Sequence, residues 1–236
     1  MDNQNIPRII PVKAEKPHGK PRKSLHPNLP TLPSVTMLCS PIRTGKSTLI
    51  SNWLLNESFF GQKYWDRVII FSNSIHNCST SRFLCKAFEC HTEYQDEILQ
   101  DIIDSQLSYT KEERPKIAIF FDDIMGQLKQ SSLITNFVTR FRHFGVELIL
   151  FSVQSYKGIV PTIRNNITDL LVGCPFGNKK QLLQIAEDFG DNTESPDKFL
   201  ELYNKATNNE RYNFAYYKLS ENPCEVFKNF EEKIYP

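Results

Sequence analysis

The sequence predicts an α/β fold, a mostly parallel sheet with helices on both faces, and three observations carry that expectation. Short β-branched and aromatic runs, Arg67-Val-Ile-Ile-Phe71 and Lys116-Ile-Ala-Ile-Phe-Phe121 among them, read as strands buried on both sides. Between such runs the apolar spacing is helical, with Ile98, Leu99, Ile102 and Ile103 on one face of residues 95–107. Strand and helix then alternate along most of the chain, the grammar of a parallel sheet covered by crossover helices.

Taken in order, residues 1–33 stand apart from the rest. Prolines recur at positions 7, 11, 17, 21, 27, 30 and 33, and Arg8, Lys13, Lys16, Lys20, Arg22 and Lys23 outnumber Asp2 and Glu15. Such a segment buries no core and is expected to be an extended basic arm, solvated or laid against DNA phosphates or a neighbouring subunit. Val35–Cys39 is the first strand and Lys46–Asn56 the first helix. Strands follow at Arg67–Phe71, Lys116–Phe121, Val146–Ser152, Asp169–Val172 and Arg211–Leu219. Helical spacing marks Ser81–Phe88, Gln95–Leu107, Ser132–His143, Lys179–Phe189 and Asp197–Ala206. One folded domain is expected over 34–220, with 221–236 as a C-terminal tail.

Composition narrows the function classes. At 236 residues, 40% hydrophobic and 12% aromatic, the chain can fill a sizeable core. A net charge of +1 does not mark a nucleic-acid binder by its overall field, so any DNA contact must come from local patches. The apolar runs are too short to span a membrane, and the start Met-Asp-Asn-Gln-Asn-Ile-Pro lacks the pattern of a signal peptide. Six irregularly spaced cysteines read as free thiols in a reducing compartment. Cys78, Cys85, Cys90 and His91 lack the short paired spacing of structural zinc sites, and Cys85 and Cys90 read as readily as small apolar residues.

The chemistry concentrates in Ser40-Pro-Ile-Arg-Thr-Gly-Lys-Ser-Thr48, between the first strand and the first helix. Strand, tight loop and helix is the context in which G-x-x-x-x-G-K-[ST] binds nucleotide phosphates, through loop N–H groups and the helix N-terminus. Ser40, Pro41, Ile42, Arg43, Thr44, Gly45, Lys46, Ser47 and Thr48 are therefore candidate ATP-binding residues. Lys46 is assigned to the β- and γ-phosphates and the Ser47 hydroxyl to Mg²⁺. Ser40 stands where the motif has its first Gly, with Pro41 supplying a fixed turn φ beside it.

Asp122-Asp123 end a buried strand, where a nucleotide-bound Mg²⁺ needs a carboxylate. Asp122 is the candidate metal ligand, and Asp123 the group that orients or deprotonates the attacking water. Gln154, just past the strand Val146–Ser152, is placed to contact the γ-phosphate or that water. Arg140, Arg142 and His143 close a helix, where cations suit its dipole. An arginine from this group, or Arg164 in Pro161-Thr-Ile-Arg-Asn-Asn166, is a candidate finger projecting into a neighbouring subunit's site, and the sequence does not choose between them.

With these motifs placed, the chain resembles the FtsK–HerA superfamily of P-loop NTPases (RecA/FtsK-like). Within it, the chain is similar to the genome-packaging ATPases of poxviruses, giant DNA viruses and virophages. The resemblance covers about residues 34 to 220. It rests on Ser40–Thr48, Val68-Ile-Ile-Phe-Ser72, Ile119-Phe-Phe-Asp-Asp123, Arg142-His143, Leu148–Tyr156 running into Pro161–Asn166, and Asn178-Lys-Lys with Phe199, Tyr203 and Tyr212-Asn-Phe214. The departures are Ser40 for Gly, and Asp123 where relatives often carry Glu. The resemblance implies ATP and Mg²⁺ as cofactors and a homo-oligomeric ring driving double-stranded DNA into a preformed capsid. It further implies capsid vertex proteins as partners, and residence in the host-cell cytoplasm, at virus factories, or in the virion. Lys157, Lys179 and Lys180 are candidate DNA contacts. A DNA translocase of FtsK–HerA type not tied to capsids, a P-loop phosphotransferase, and an assembly protein that binds ATP without hydrolysing it are the other readings of the same motifs.

Overall fold

A computed structural model describes residues 26–77, 81–128, 131–176 and 178–236. In chain order its elements begin with β1 (Ser34–Cys39), α1 (Lys46–Leu55), β2 (Arg67–Ser72) and β3 (Glu89–His91). Then come α2 (Asp96–Ser108), β4 (Ile117–Asp122), α3 (Met125–Leu128), α4 (Ser132–Arg140), β5 (Val146–Val153) and α5 (Pro161–Arg164). The chain continues through β6 (Asp169–Gly173), α6 (Lys179–Phe189), α7 (Pro196–Thr207), β7 (Phe214–Lys218), β8 (Glu225–Lys228) and β9 (Glu232–Tyr235).

The strands form one sheet in the order β3-β2-β4-β5-β1-β6-β7-β8-β9. β3 to β6 along that order run parallel, and β7, β8 and β9 are added antiparallel. Side chains alternate across each strand, so every central strand feeds two cores. Val35, Met37 and Cys39 of β1 join Phe71, Phe121 and Phe151 under α2, α4, α6 and α7. Leu38, Ile70, Phe120 and Leu150 point the other way, to Trp53 and Leu54 of α1 and to Phe60 and Trp65. Each such large side chain contributes about 1.5–3 kcal/mol of burial.

Helix starts follow from local chemistry. The Ser131 hydroxyl accepts from Ile134 N, the Asn178 amide oxygen from Gln181 N and the Ser195 hydroxyl from Lys198 N, each satisfying an otherwise orphaned donor. On the face under α2 and α4, a row of rings crosses the sheet. His91 stacks on Phe71 at 5.1 Å, Phe71 on Phe121 at 5.2 Å, and Phe121 on Phe151 at 5.1 Å. Phe71, Phe121 and Phe151 are direct partners in the parallel register, so the row pins that register.

The structure corrects the sequence reading at several points. Residues 81–88 form a short 3-10 segment, Arg82–Lys86, instead of an α-helix, and the chain then pairs Glu89–His91 with Ile69–Phe71 as an edge strand. Arg67 and His91 both bond Glu89 there, which draws that short polar segment onto the sheet edge. Residues 221–236 are not a tail: β8 and β9 extend the same sheet, and Val226 and Phe227 are buried. The folded region also begins before residue 34. Leu29 and Leu32 lie in the core, Lys218 Nζ donates to Pro27 O at 3.0 Å and Asn28 Nδ2 to Phe230 O at 2.7 Å. The remaining arm, 1–25, lies outside the described residues. The strand expected from Arg211 starts at Phe214, because Tyr212 has φ 76°, incompatible with an extended run.

A wholly buried carboxylate ties these additions to β1. Asp169 accepts from Ser34 Oγ (2.8 Å), Thr168 Oγ1 (2.7 Å) and Tyr216 OH (2.6 Å). Burial pushes its carboxyl above the usual range, opposed by these bonds and by the Lys218 charge. Replacing Asp169 by Ala strands the Tyr216 hydroxyl in the core and removes the carboxylate that faces the buried Lys218, while Ser34 Oγ and Thr168 Oγ1 keep Thr36 Oγ1 and Val35 O as partners. The expected loss is about 3–5 kcal/mol, read as a lowered urea midpoint, with Asp169→Asn losing less because it keeps an acceptor.

Candidate nucleotide site

The parallel register brings the carboxyl ends of four strands to one edge. Ser72 of β2 pairs with Asp122 of β4, Asp122 with Ser152 of β5, and Val153 with Cys39 of β1. The β1-to-α1 loop and the acidic pair, far apart in sequence, are thereby separated by two strand spacings, about 10 Å between backbones. That distance is within reach of facing side chains.

The loop turns back on itself through Arg43 at φ 61° and Gly45 at φ 91°, and α1 starts at Lys46 with no side-chain cap. The N–H groups of its first turn thus lack helical partners, as an anion site requires. Lys46 Nζ donates to Ser40 O at 2.8 Å and Pro41 O at 2.9 Å. Thr44 Oγ1 donates to Pro41 O at 2.6 Å and shares a hydrogen bond with Ser40 Oγ. Ser47 follows Lys46 in the first turn, Thr48 is exposed on the next step, and Ile42 and Arg43 project outward from the loop. Burial pulls Lys46 below its ordinary pKa, and the charges of Asp123 and Asp122 oppose that shift.

Asp122 is buried and accepts from Ser72 Oγ at 3.1 Å. Burial raises its pKa, against the hydrogen bond from Ser72 and the positive charge of Lys46. Asp123 is exposed and adopts φ 59°, a left-handed turn that Asp tolerates better than most residues. Its N–H donates to Ser152 O at 2.9 Å, and Gln154 Nε2 donates to its Oδ2. Lys46, Asp122, Asp123 and Gln154 therefore share one electrostatic cluster.

The arginines are not part of it. β5 starts at Val146 and runs to the site edge, so Arg140 and Arg142, just before it, sit at the opposite edge, about 25 Å away along the strand. Both are exposed, each lying 5.9 Å over a ring of its own turn, Phe144 and Phe141 respectively. Arg164 is committed elsewhere: its Nη1 pairs with Asp188 Oδ2 at 2.7 Å and its guanidinium lies 5.1 Å over Tyr156. No cluster of His, Cys, Asp or Glu able to hold a metal occurs among the described residues, and His91 Nε2 bonds Glu89 Oε1 at 2.8 Å. Cys78 lies outside the described residues.

One partner of the loop escaped the sequence reading. Gly173 ends β6 beside β1, and a Cβ there would stand 1.9 Å from Ser40 Oγ and 2.7 Å from Ser40 Cβ. The side chain that replaces the motif's first Gly thus fills the notch left by a glycine on the neighbouring strand. The signal available in the sequence was Leu170-Leu-Val-Gly173, a buried strand ending in Gly. Gly173→Ala is expected to displace the loop and weaken nucleotide binding by at least about tenfold, and Ser40→Gly added to it is expected to restore most of the affinity. Titration calorimetry on the two single variants and the double variant reads the coupling.

No family model and no curated protein sequence matches this chain. Solved structures do match by shape. B204, the DNA-packaging ATPase from Sulfolobus turreted icosahedral virus, superposes with TM-score 0.60 at 14% identity, over 83% of this chain and 97% of that one. The genome packaging NTPase B204 from Sulfolobus turreted icosahedral virus 2, in complex with ATP-gammaS, gives 0.59 at 17% identity, over 84% and 98%. The pCW3 conjugation coupling protein TcpA with ATPgS gives 0.56 at 14% identity, over 84% of this chain and 61% of TcpA. At these identities the likeness is one of fold: a mostly parallel P-loop NTPase sheet with helices on both faces, shared with viral packaging and conjugation proteins.

Proposed function

We propose that this chain is an ATP-hydrolysing motor that drives double-stranded viral DNA into a preformed capsid. The observation that carries the ATPase part is the convergence of Lys46, Asp122, Asp123 and Gln154 at one sheet edge beside an uncapped helix start. The packaging part is supported by the motifs between Gln154 and Asn166 and by a fold spanning nearly all of the B204 chain.

In this reading Lys46 exchanges its two carbonyl partners for β- and γ-phosphate oxygens. The oxygen donors Ser47 and Asp122 suit a hard divalent cation, and bound Mg²⁺ would neutralise charge developing on the phosphates. Asp123 orients the attacking water and takes its proton, while Gln154 holds the Asp123 carboxylate and senses the γ-phosphate. With Arg164 held by Asp188, the exposed Arg140 and Arg142 are the arginines free to enter a neighbouring subunit's site in a homo-oligomeric ring. Exposed Lys157, Lys179 and Lys180 are the proposed DNA contacts, with salt-sensitive affinity. Capsid vertex proteins are the proposed docking partners, and the host-cell cytoplasm and virion the proposed locations.

Lys46→Ala and Asp122→Ala are each expected to abolish Mg²⁺-dependent phosphate release. Arg142→Ala should retain nucleotide binding yet lose turnover by about 10³-fold, and mixing it with Lys46→Ala subunits should recover part of the rate. Phosphate release that needs a nucleotide acceptor would instead favour a phosphotransferase. Turnover and DNA movement without any effect of Lys46→Ala on encapsidation would leave a translocase and remove the capsid role.

A further inference from the structure

A cavity of about 480 Å³ opens beside the phosphate loop, on the β6–β7 side. Its lining combines Thr44, Gly45 and Lys46 of the phosphate loop with the apolar side chains of Leu49, Phe59, Tyr212 and Phe214. Resting on the nucleotide reading above, we propose that Tyr212 is the nucleobase platform of this site. The site then takes purine nucleoside triphosphates by stacking and not by reading base edges.

Tyr212 belongs to the loop joining α7 to β7, and that loop is folded back by three left-handed residues, Asn208 (φ 47°), Asn209 (φ 54°) and Tyr212 (φ 76°). A left-handed backbone is tolerated by Asn but strained for a bulky ring. The ring is nonetheless 61% exposed, so core burial does not account for holding it there. Its Cδ1 comes within 3.4 Å of where a Cβ on Gly45 would stand. Arg211 fastens the same loop to the phosphate loop, donating from Nη2 (3.0 Å) and Nε (3.3 Å) to Arg43 O, and lies 5.3 Å over the Tyr212 ring. The strained turn thus presents an aromatic face next to the phosphate subsite, with a guanidinium fixing its position.

The amides that line the cavity are already bonded within the protein. Asn52 Nδ2 donates to Thr48 O (2.9 Å) while its Oδ1 accepts from Asn56 (3.3 Å). Asn213 Nδ2 donates to Thr207 O and Glu210 Oε2 (3.1 Å each) while its Oδ1 accepts from Asn229 (3.4 Å). With these amides engaged within the protein, the ring faces of Phe59, Tyr212 and Phe214 are the apolar surface the cavity offers a base, and a ring face grips any purine. Stacking on one aromatic ring corresponds to about tenfold to a hundredfold in affinity.

The test is calorimetric titration of the full chain with the Mg²⁺ complexes of ATP, GTP, CTP and inorganic triphosphate. ATP and GTP are expected within about fivefold of each other, and both at least about tenfold tighter than inorganic triphosphate, with CTP between. Tyr212→Asn, which suits the left-handed backbone, should lower ATP affinity to the triphosphate level and leave triphosphate affinity within about twofold; Tyr212→Phe should keep ATP affinity. The inference is overturned if Tyr212→Asn binds ATP as wild type does, or if it loses triphosphate as well, which would make the ring a support for the loop. An ATP preference over GTP of about a hundredfold would overturn stacking as the basis of selection. If wild type binds neither ATP nor triphosphate, the nucleotide reading itself falls, an outcome distinct from the others.

Discussion

The parallel register across β2, β4, β5 and β1 is the constraint on which everything at the site edge depends. Side chains alternate with period two, so a slip of one residue would turn Asp122 away from Ser72 and Lys46 and bring a neighbour of opposite facing in its place. The row of stacked rings from His91 to Phe151 opposes such a slip, because each ring finds its partner only when the strands are aligned as observed. Position at the edge is thus enforced by packing in the middle of the sheet.

Electrostatics at that edge follow from partial burial. Burial makes charge costly for both Lys46 and Asp122, lowering one pKa and raising the other, while each group's charge upholds the other's. The lysine meets its cost locally, through the carbonyls of Ser40 and Pro41. Asp122 leans on the Ser72 hydroxyl of β2. Both arrangements keep the groups apart yet mutually sensed, which suits the proposed insertion of a magnesium triphosphate between them.

A second theme is complementarity between the loop and elements later in the chain. Ser40 is accommodated by Gly173 on β6, and the carbonyl of Arg43 is held by Arg211 from the α7–β7 loop. The antiparallel β7–β9 extension therefore does more than widen the sheet: it carries the segment that walls the site. Asp169 anchors that extension to β1 from below, through Ser34 and Tyr216.

Much of this was legible in the residues alone. Strand and helix periods, the Gly45-Lys46-Ser47 loop and the acidic strand end of Asp122-Asp123 are contiguous patterns, set by backbone sterics and the repeat of a helix or strand. Their meeting at one edge followed from the rule that parallel strands end together. Other features were decided only in three dimensions: the notch at Gly173, the ion pair that occupies Arg164, the edge strand Glu89–His91, and the sheet made from residues 225–235. Each depends on a partner brought in by the tertiary fold. A short polar strand or a lone arginine has no period of its own, so its state is fixed by whichever surface the folded sheet sets beside it.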